Sequence, residues 1–237
     1  MNKIIFIVLA IIIIGGVFFF FTKSTNAPTT DTDIVQETDE VNVPTMSFFI
    51  TSENPGTGAN FGGLTGADAY CQTLATEAGV GDKTWHAYLS ASATESEEAV
   101  NARDRIGTGP WYNYNGELIA TSVADLHENS RINKETGLTE NGDIVNGRGD
   151  TPNRHDILTG SNMDGTLAVA ENGGDTTCSN WTTESADGSA VVGHHDRIGL
   201  DESAPMKSWV SSHGSRGCSL ENLTTTGGDG RLYCFAL

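Results

Sequence analysis

Four cysteines, Cys71, Cys178, Cys218 and Cys234, constrain this 237-residue chain more than any other feature. All of them lie beyond residues 4–21, IIFIVLAIIIIGGVFFFF, a run without a polar side chain. At ~1.5 Å per residue that run makes about 27 Å of helix, close to the hydrocarbon thickness of a bilayer. Lys3 precedes it and Lys23 follows it, so residues 1–3 read as a cytoplasmic tip on a weak positive-inside bias. An even number of cysteines on the far side then implies two disulfides in an oxidising compartment. An early–late pair would tie the ends of the exported part together. Four cysteines allow three pairings, and their spacing alone does not choose among them.

Residues 4–21 predict an uncleaved, single-pass membrane anchor. The rival is a secretory signal, whose apolar core is usually about 7–15 residues long. Thr25 and Ala27 mimic a cleavage site, but Pro28 would follow the cut. The protein is membrane-anchored with its C-terminal part extracytoplasmic, or secreted if the segment is removed. Residues 22–46 are rich in Thr, Asp and Glu, with Asp31, Asp33, Glu37, Asp39 and Glu40 repelling one another. They predict a flexible stalk. Residues 47–237 remain as one domain large enough to bury a core.

The chain has 31 Asp plus Glu against 13 Lys plus Arg, a net charge of −18. Such a surface disfavours nucleic acid and heparin-like polyanions and is compatible with divalent cations or basic partners. Asn-Gly, Asp-Gly and Gly-Gly pairs crowd the second half and predict turns between short strands.

Strand character appears at 47–52, 84–90, 157–161 and 231–237. Residues 62–79 predict a helix, with Thr65 and Asp68 as a capping box and Gly79 as its terminator. Cys71 falls on its apolar stripe. Thr94 and Glu97 predict a second helix running to Gly107. Ser122 and Asp125 repeat the pattern before VADL. Residues 127–156 are polar and read as a long loop or insertion.

GGLTGADAYCQ, TWHAYLS, GPWYNYNGE with VADL, LTGS, CSNWTTES and GRLYCF together resemble a bacterial domain family of uncharacterised function, DUF1554. That family is similar in turn to the endostatin domain of collagens XV and XVIII, which has a C-type-lectin-like fold. The resemblance covers residues 47–237, interrupted at 127–156. It implies an α+β, endostatin-like domain with two main helices, a short antiparallel sheet and a loop-rich, disulfide-stapled half. It also implies nested pairing, Cys71 with Cys234 and Cys178 with Cys218. There are departures. SFFITS has no counterpart to endostatin's N-terminal zinc histidines, and no arginine surface matches its heparin site. The calcium tripeptides of sugar-binding C-type lectins are absent, with Asn180–Trp181–Thr182 only a faint echo.

Metal-ligand candidates are His194, His195 and His213, together with Asp164, Asp175 and Asp187 in acidic turns suited to calcium. Neighbouring strand residues face opposite ways, so His194 and His195 offer one ligand between them. Asn162, Asp164 and Asp187, with Trp111, Tyr112 and Tyr114 as a stacking platform, are candidate ligand-binding residues. Trp181, three residues after Cys178, is expected to pack on a disulfide. Arg148–Gly149–Asp150 matches the integrin tripeptide and is explained by chance composition. No enzyme motif is present. The sequence points to a non-catalytic, outward-facing recognition or adhesion module whose ligand, an extracellular protein or glycan, meets residues 160–217. Alternatives are a structural envelope protein bound to another subunit or the wall, and an extracellular hydrolase working through paired carboxylates.

Overall fold

The computed structural model describes residues 43–171 and 173–237. The apolar run 4–21 and the stalk as far as residue 42 lie outside them. Among the described residues no helix is long and apolar enough to cross a membrane.

The chain folds as an α+β domain organised on its last strand, β8 (Gly228–Ala236). Alternation along β8 sends Leu232, Cys234 and Ala236 into one core and Tyr233 and Phe235 into the other. Its C-terminal half is flanked on both sides by antiparallel strands, β1 (Phe48–Ile50) and β2 (Trp85–Ala87). Its N-terminal half pairs in parallel with β5 (Asp156–Leu158). β6 (Val191–His194) runs antiparallel to β5, and β7 (His213–Gly214) pairs with β6 at the edge. The sheet is therefore mixed, where an antiparallel one was expected. β5 and β8 enter it from the same end, and the Asp156 amide donates to the carbonyl of Gly227 just before β8. A separate hairpin pairs β3 (Trp111–Tyr112) with β4 (Leu118–Ala120).

One helix is long, not two. α1 (Gly63–Glu77) buries Ala67, Cys71, Leu74 and Ala75. It ends as its sequence predicts. Gly79 has φ 81°, its amide donates to Thr76, and the Val80 amide donates to Ala75, the paired bonds of a Schellman motif. Its start differs. The N-cap is Gly62, without a side-chain cap, and Thr65 already lies inside the helix. The Asp68 carboxylate instead accepts from the Ala87 amide at 2.9 Å and pairs with Arg105 at 2.6 Å.

The helix expected from Thr94 does not propagate. Thr94 Oγ1 accepts from the Glu97 amide, but only a 3-10 turn at Ala102–Asp104 follows. Glu95, Glu97 and Glu98 give this stretch no apolar stripe, and Val100 bridges to Ala91 instead. α2 (Val123–Glu128) does form, capped by Ser122. α4 (Leu220–Thr226) leads into β8. Between the end of α2 and the start of β5, the polar segment 127–156 holds only isolated bridges, yet it is packed onto the body. Ile132, Leu138 and Val145 are buried, and Glu140 accepts from the Ser52 amide.

The cysteines pair as Cys71–Cys234 and Cys178–Cys218. The first bolts α1 to β8. The second anchors α3 (Cys178–Trp181), a turn whose four residues have φ of 47°, 52°, 56° and 65°. Left-handed turns cost L-residues ~1–2 kcal/mol each and rarely run beyond one residue. This one is held by many bonds. Asp175 accepts from the Thr177 and Ser179 amides. The Asn180 amide group bonds both the N–H and the C=O of Ser92. Trp181 is fully buried in the same core as Cys178 and Cys218 and donates to the Ser90 carbonyl.

Candidate metal centre

β5, β6 and β7 carry polar side chains where a sheet interior would ordinarily hold apolar ones. Asp156 pairs with His194 across β5–β6, and His213 faces Val192 two positions along β6. His155 immediately precedes β5. Asp156 and His155 lie against Gly227, the residue that ends α4, with His194 and His213 on the neighbouring strands. A Cβ at Gly227 would lie 2.9 Å from Asp156 Oδ2 and 3.1 Å from His155 Nε2, so the close approach requires glycine there.

The distances are those of ligands around an ion. Asp156 Oδ1 lies 3.2 Å from His155 Nε2, 3.4 Å from His194 Nε2 and 3.7 Å from His213 Nε2. His194 Nε2 and His213 Nε2 are 3.0 Å apart. Ligand atoms ~2.0–2.1 Å from a tetrahedral zinc stand about 3.3 Å from one another. The His155 and His194 rings stack with centroids 4.2 Å apart.

The outer nitrogens fix what the inner ones are. His194 Nδ1 faces the Met206 carbonyl at 2.8 Å, and His213 Nδ1 faces the Gly214 carbonyl at 3.2 Å. His155 Nδ1 faces Asp196 Oδ1 at 3.4 Å. In the tautomer with its proton on Nδ1, each ring would turn an Nε2 lone pair toward the group. Three lone pairs and a carboxylate then face one another. Both Asp156 oxygens are buried without a hydrogen bond, although three imidazoles lie close. Burial pushes the Asp156 carboxyl above its usual range and His194 down to about 4. Burial alone would also raise Asp196. Bonds from His155 and from the Arg148 and Ile198 amides outweigh it and hold Asp196 down to about 2.

A cation among these atoms would satisfy them together. Imidazole nitrogens with a single carboxylate suit zinc rather than calcium, which takes six to eight oxygens. Among the described residues this is the one group of three or more His, Cys, Asp or Glu whose ligand atoms come within 4.8 Å, through His155, Asp156 and His194.

The residues expected from the sequence divide accordingly. His194 and His213 enter the cluster. His195 points the other way, with Nε2 toward the Asn146 carbonyl, and burial pushes it down to about 4. His155 and Asp156 were missed because they close a polar stretch read as loop. Their signal is a His-Asp pair directly before an apolar strand run. The carboxylates proposed for calcium stand apart in their own turns. Asp164 accepts from the amide and hydroxyl of Thr166, Asp175 caps the left-handed turn, and Asp187 is exposed. Asn162 donates to Thr166 Oγ1 and the Leu167 carbonyl.

The aromatic platform does not form. Trp111 is buried edge-on against Phe235, with Nε1 donating to the Ala236 carbonyl. Tyr112 is half-buried, and Tyr114 is exposed over Gly142. In the Arg148–Gly149–Asp150 tripeptide, Asp150 is bound by Lys134 and by the Gly147 amide. No family model and no curated protein matches the chain.

Proposed function

We propose that this chain is a zinc-organised recognition module, displayed outside the cell on its N-terminal anchor and built on a C-type-lectin-like, endostatin-like plan. The observation that carries the reading is the gathering of the His155 and His194 imidazoles, with His213 beside them, around the buried, unbonded carboxylate of Asp156. The α+β body, the long helix bolted to the closing strand and the nested disulfides support the lectin-like plan. The two disulfides also support an oxidising location. The zinc role is to organise the module. The ion would join β5 and β6 through His155, Asp156 and His194, with His213 of β7 beside them. It would fix the 195–212 excursion that connects β6 to β7, within the half expected to meet a ligand.

The test is the metal content and melting temperature of the full-length chain. One zinc per chain is expected, with chelation lowering Tm and zinc restoring it. His194→Ala should abolish both effects. A chain that purifies without metal and melts identically with or without zinc would remove the reading.

A further inference from the structure

We propose that a groove beside the start of α1 binds a lysine- or arginine-bearing segment of a partner protein. The inference names a partner for the recognition role proposed above and is independent of the zinc.

The groove encloses about 870 Å³ between the first turn of α1, the 91–100 segment and the left-handed turn of α3. That is room for several residues of an extended chain rather than for one ion. Its walls are fixed before anything binds. Ala91 and Val100 exchange backbone hydrogen bonds of 2.9 and 2.8 Å across the neck of the segment. Asn180 ties the left-handed turn to Ser92 through both of that residue's backbone groups. Within the segment, Thr94 Oγ1 accepts from the Glu97 amide. A site built in advance loses little order on binding.

The lining names the occupant. Leu64, Ala91, Ala99 and Val100 give the groove apolar surface, and Glu97 and Glu98 give it charge. Among the described residues no basic side chain lines it. Arg103 and Arg105, the next basic residues along the chain, are engaged by Asp104 and Asp164 and by Asp68. Glu97 and Glu98 are exposed and form no ion pair among the described residues. A lysine or arginine side chain meets both features at once, with its aliphatic stem along the apolar wall and its cation at the carboxylates. The net charge of −18 draws such a segment in. Gly62 caps α1 with no side chain, so the first-turn amides at the groove are left for the carbonyls of the bound segment. A metal ion fits less well. Among the described residues Glu97 and Glu98 belong to no group of three or more ligand atoms close enough to hold one.

Calorimetric titration of the full-length chain tests this in about 0.15 M salt, where exposed charges more than ~8 Å apart are largely screened. The probe is an acetylated, amidated octapeptide of alternating lysine and alanine. One saturable site per chain is expected. Glu97→Gln with Glu98→Gln should weaken it at least about fivefold. Glu77→Gln with Glu128→Gln, which removes the same charge from exposed positions outside the groove, should leave it unchanged. Ala99→Trp, which fills the groove from an exposed position, should abolish binding. Absence of saturable binding would overturn the inference. So would equal weakening by the two double variants, the mark of diffuse attraction to an acidic surface, or undiminished binding by Ala99→Trp. Zinc content of the same samples keeps the two readings apart. A metal-free chain that binds the peptide in this groove removes the zinc reading alone, and a zinc-bearing chain that does not bind it removes this inference alone.

Discussion

Asn180 shows how one side chain can hold an unfavourable backbone. It stands at φ 56° and ψ 43° inside the left-handed turn, where asparagine is tolerated better than most residues. Its Oδ1 accepts from the Ser92 amide at 2.7 Å and its Nδ2 donates to the Ser92 carbonyl at 2.9 Å. Asn180→Ala removes both bonds and places a Cβ-bearing residue in the left-handed region without local support. Asn180→Gly removes the same bonds and relieves the backbone. Both variants should be destabilised by ~1–3 kcal/mol in urea denaturation, with glycine milder than alanine by about 1 kcal/mol. Equal losses would mean that the turn carries no strain at this residue. The turn was not legible in the sequence, because Cys-Ser-Asn-Trp contains no glycine to announce positive φ. That Trp181 is a core residue was legible, and it is fully buried in the core that holds both cysteines. His155 and Asp156 were missed for another reason. A metal centre assembled from separate strands leaves no fixed spacing to read, and the cluster spans residues 155 to 213.

Among the elements, the ends of α1 separate what local chemistry decides from what tertiary contacts override. Gly79 terminates the helix because only that residue type enters the left-handed region freely. The Thr65–Asp68 pair has the spacing of a capping box, yet Asp68 is drawn to the Ala87 amide and the Arg105 guanidinium. Those contacts lock α1 against β2 and against the turn after Ala102, so the helix begins earlier, at an uncapped glycine. Thr65 is exposed. Thr65→Ala should therefore change stability by less than about 0.5 kcal/mol. Ser122→Ala, which removes the cap that Ser122 supplies to the Asp125 amide, should cost about 1 kcal/mol. Denaturant midpoints of the two variants decide the matter, and a loss at Thr65 equal to that at Ser122 would restore the capping box. Strands β1, β2, β5 and β8 were legible as runs of β-formers, whereas β6 and β7 were not, and β2 follows its alternation. Trp85, Ala87 and Leu89 join one core and Tyr88 the other. Their order in the sheet was not legible, because the parallel pairing of β5 with β8 is set by the path of α4.

Across the whole molecule, the cross-links divide the labour between the two ends of the sheet. Cys71–Cys234 joins α1 to the half of β8 that pairs with β1 and β2, and it spans 163 residues. The proposed zinc joins β5 and β6, with β7 beside them, at the other end. Cys178–Cys218 spans 40 residues and links the left-handed turn to the segment entering α4. α4 ends at Gly227, against Asp156 and His155. On the loop-entropy model the longer closure stabilises by about 5 kcal/mol and the shorter by about 4 kcal/mol. Their local consequences should differ more than these totals do. Loss of Cys71–Cys234 frees the unfolded chain but leaves every metal ligand on intact strands. Loss of Cys178–Cys218 loosens the helix whose end packs on the centre. Replacing Cys71 and Cys234 by alanine should therefore lower the denaturant midpoint more while leaving zinc affinity unchanged under folding conditions. Replacing Cys178 and Cys218 should lower the midpoint less and weaken zinc binding. Denaturation and zinc titration on the two double variants should thus rank them in opposite orders. The same order in both measurements would mean that the disulfides and the metal stabilise one undivided unit.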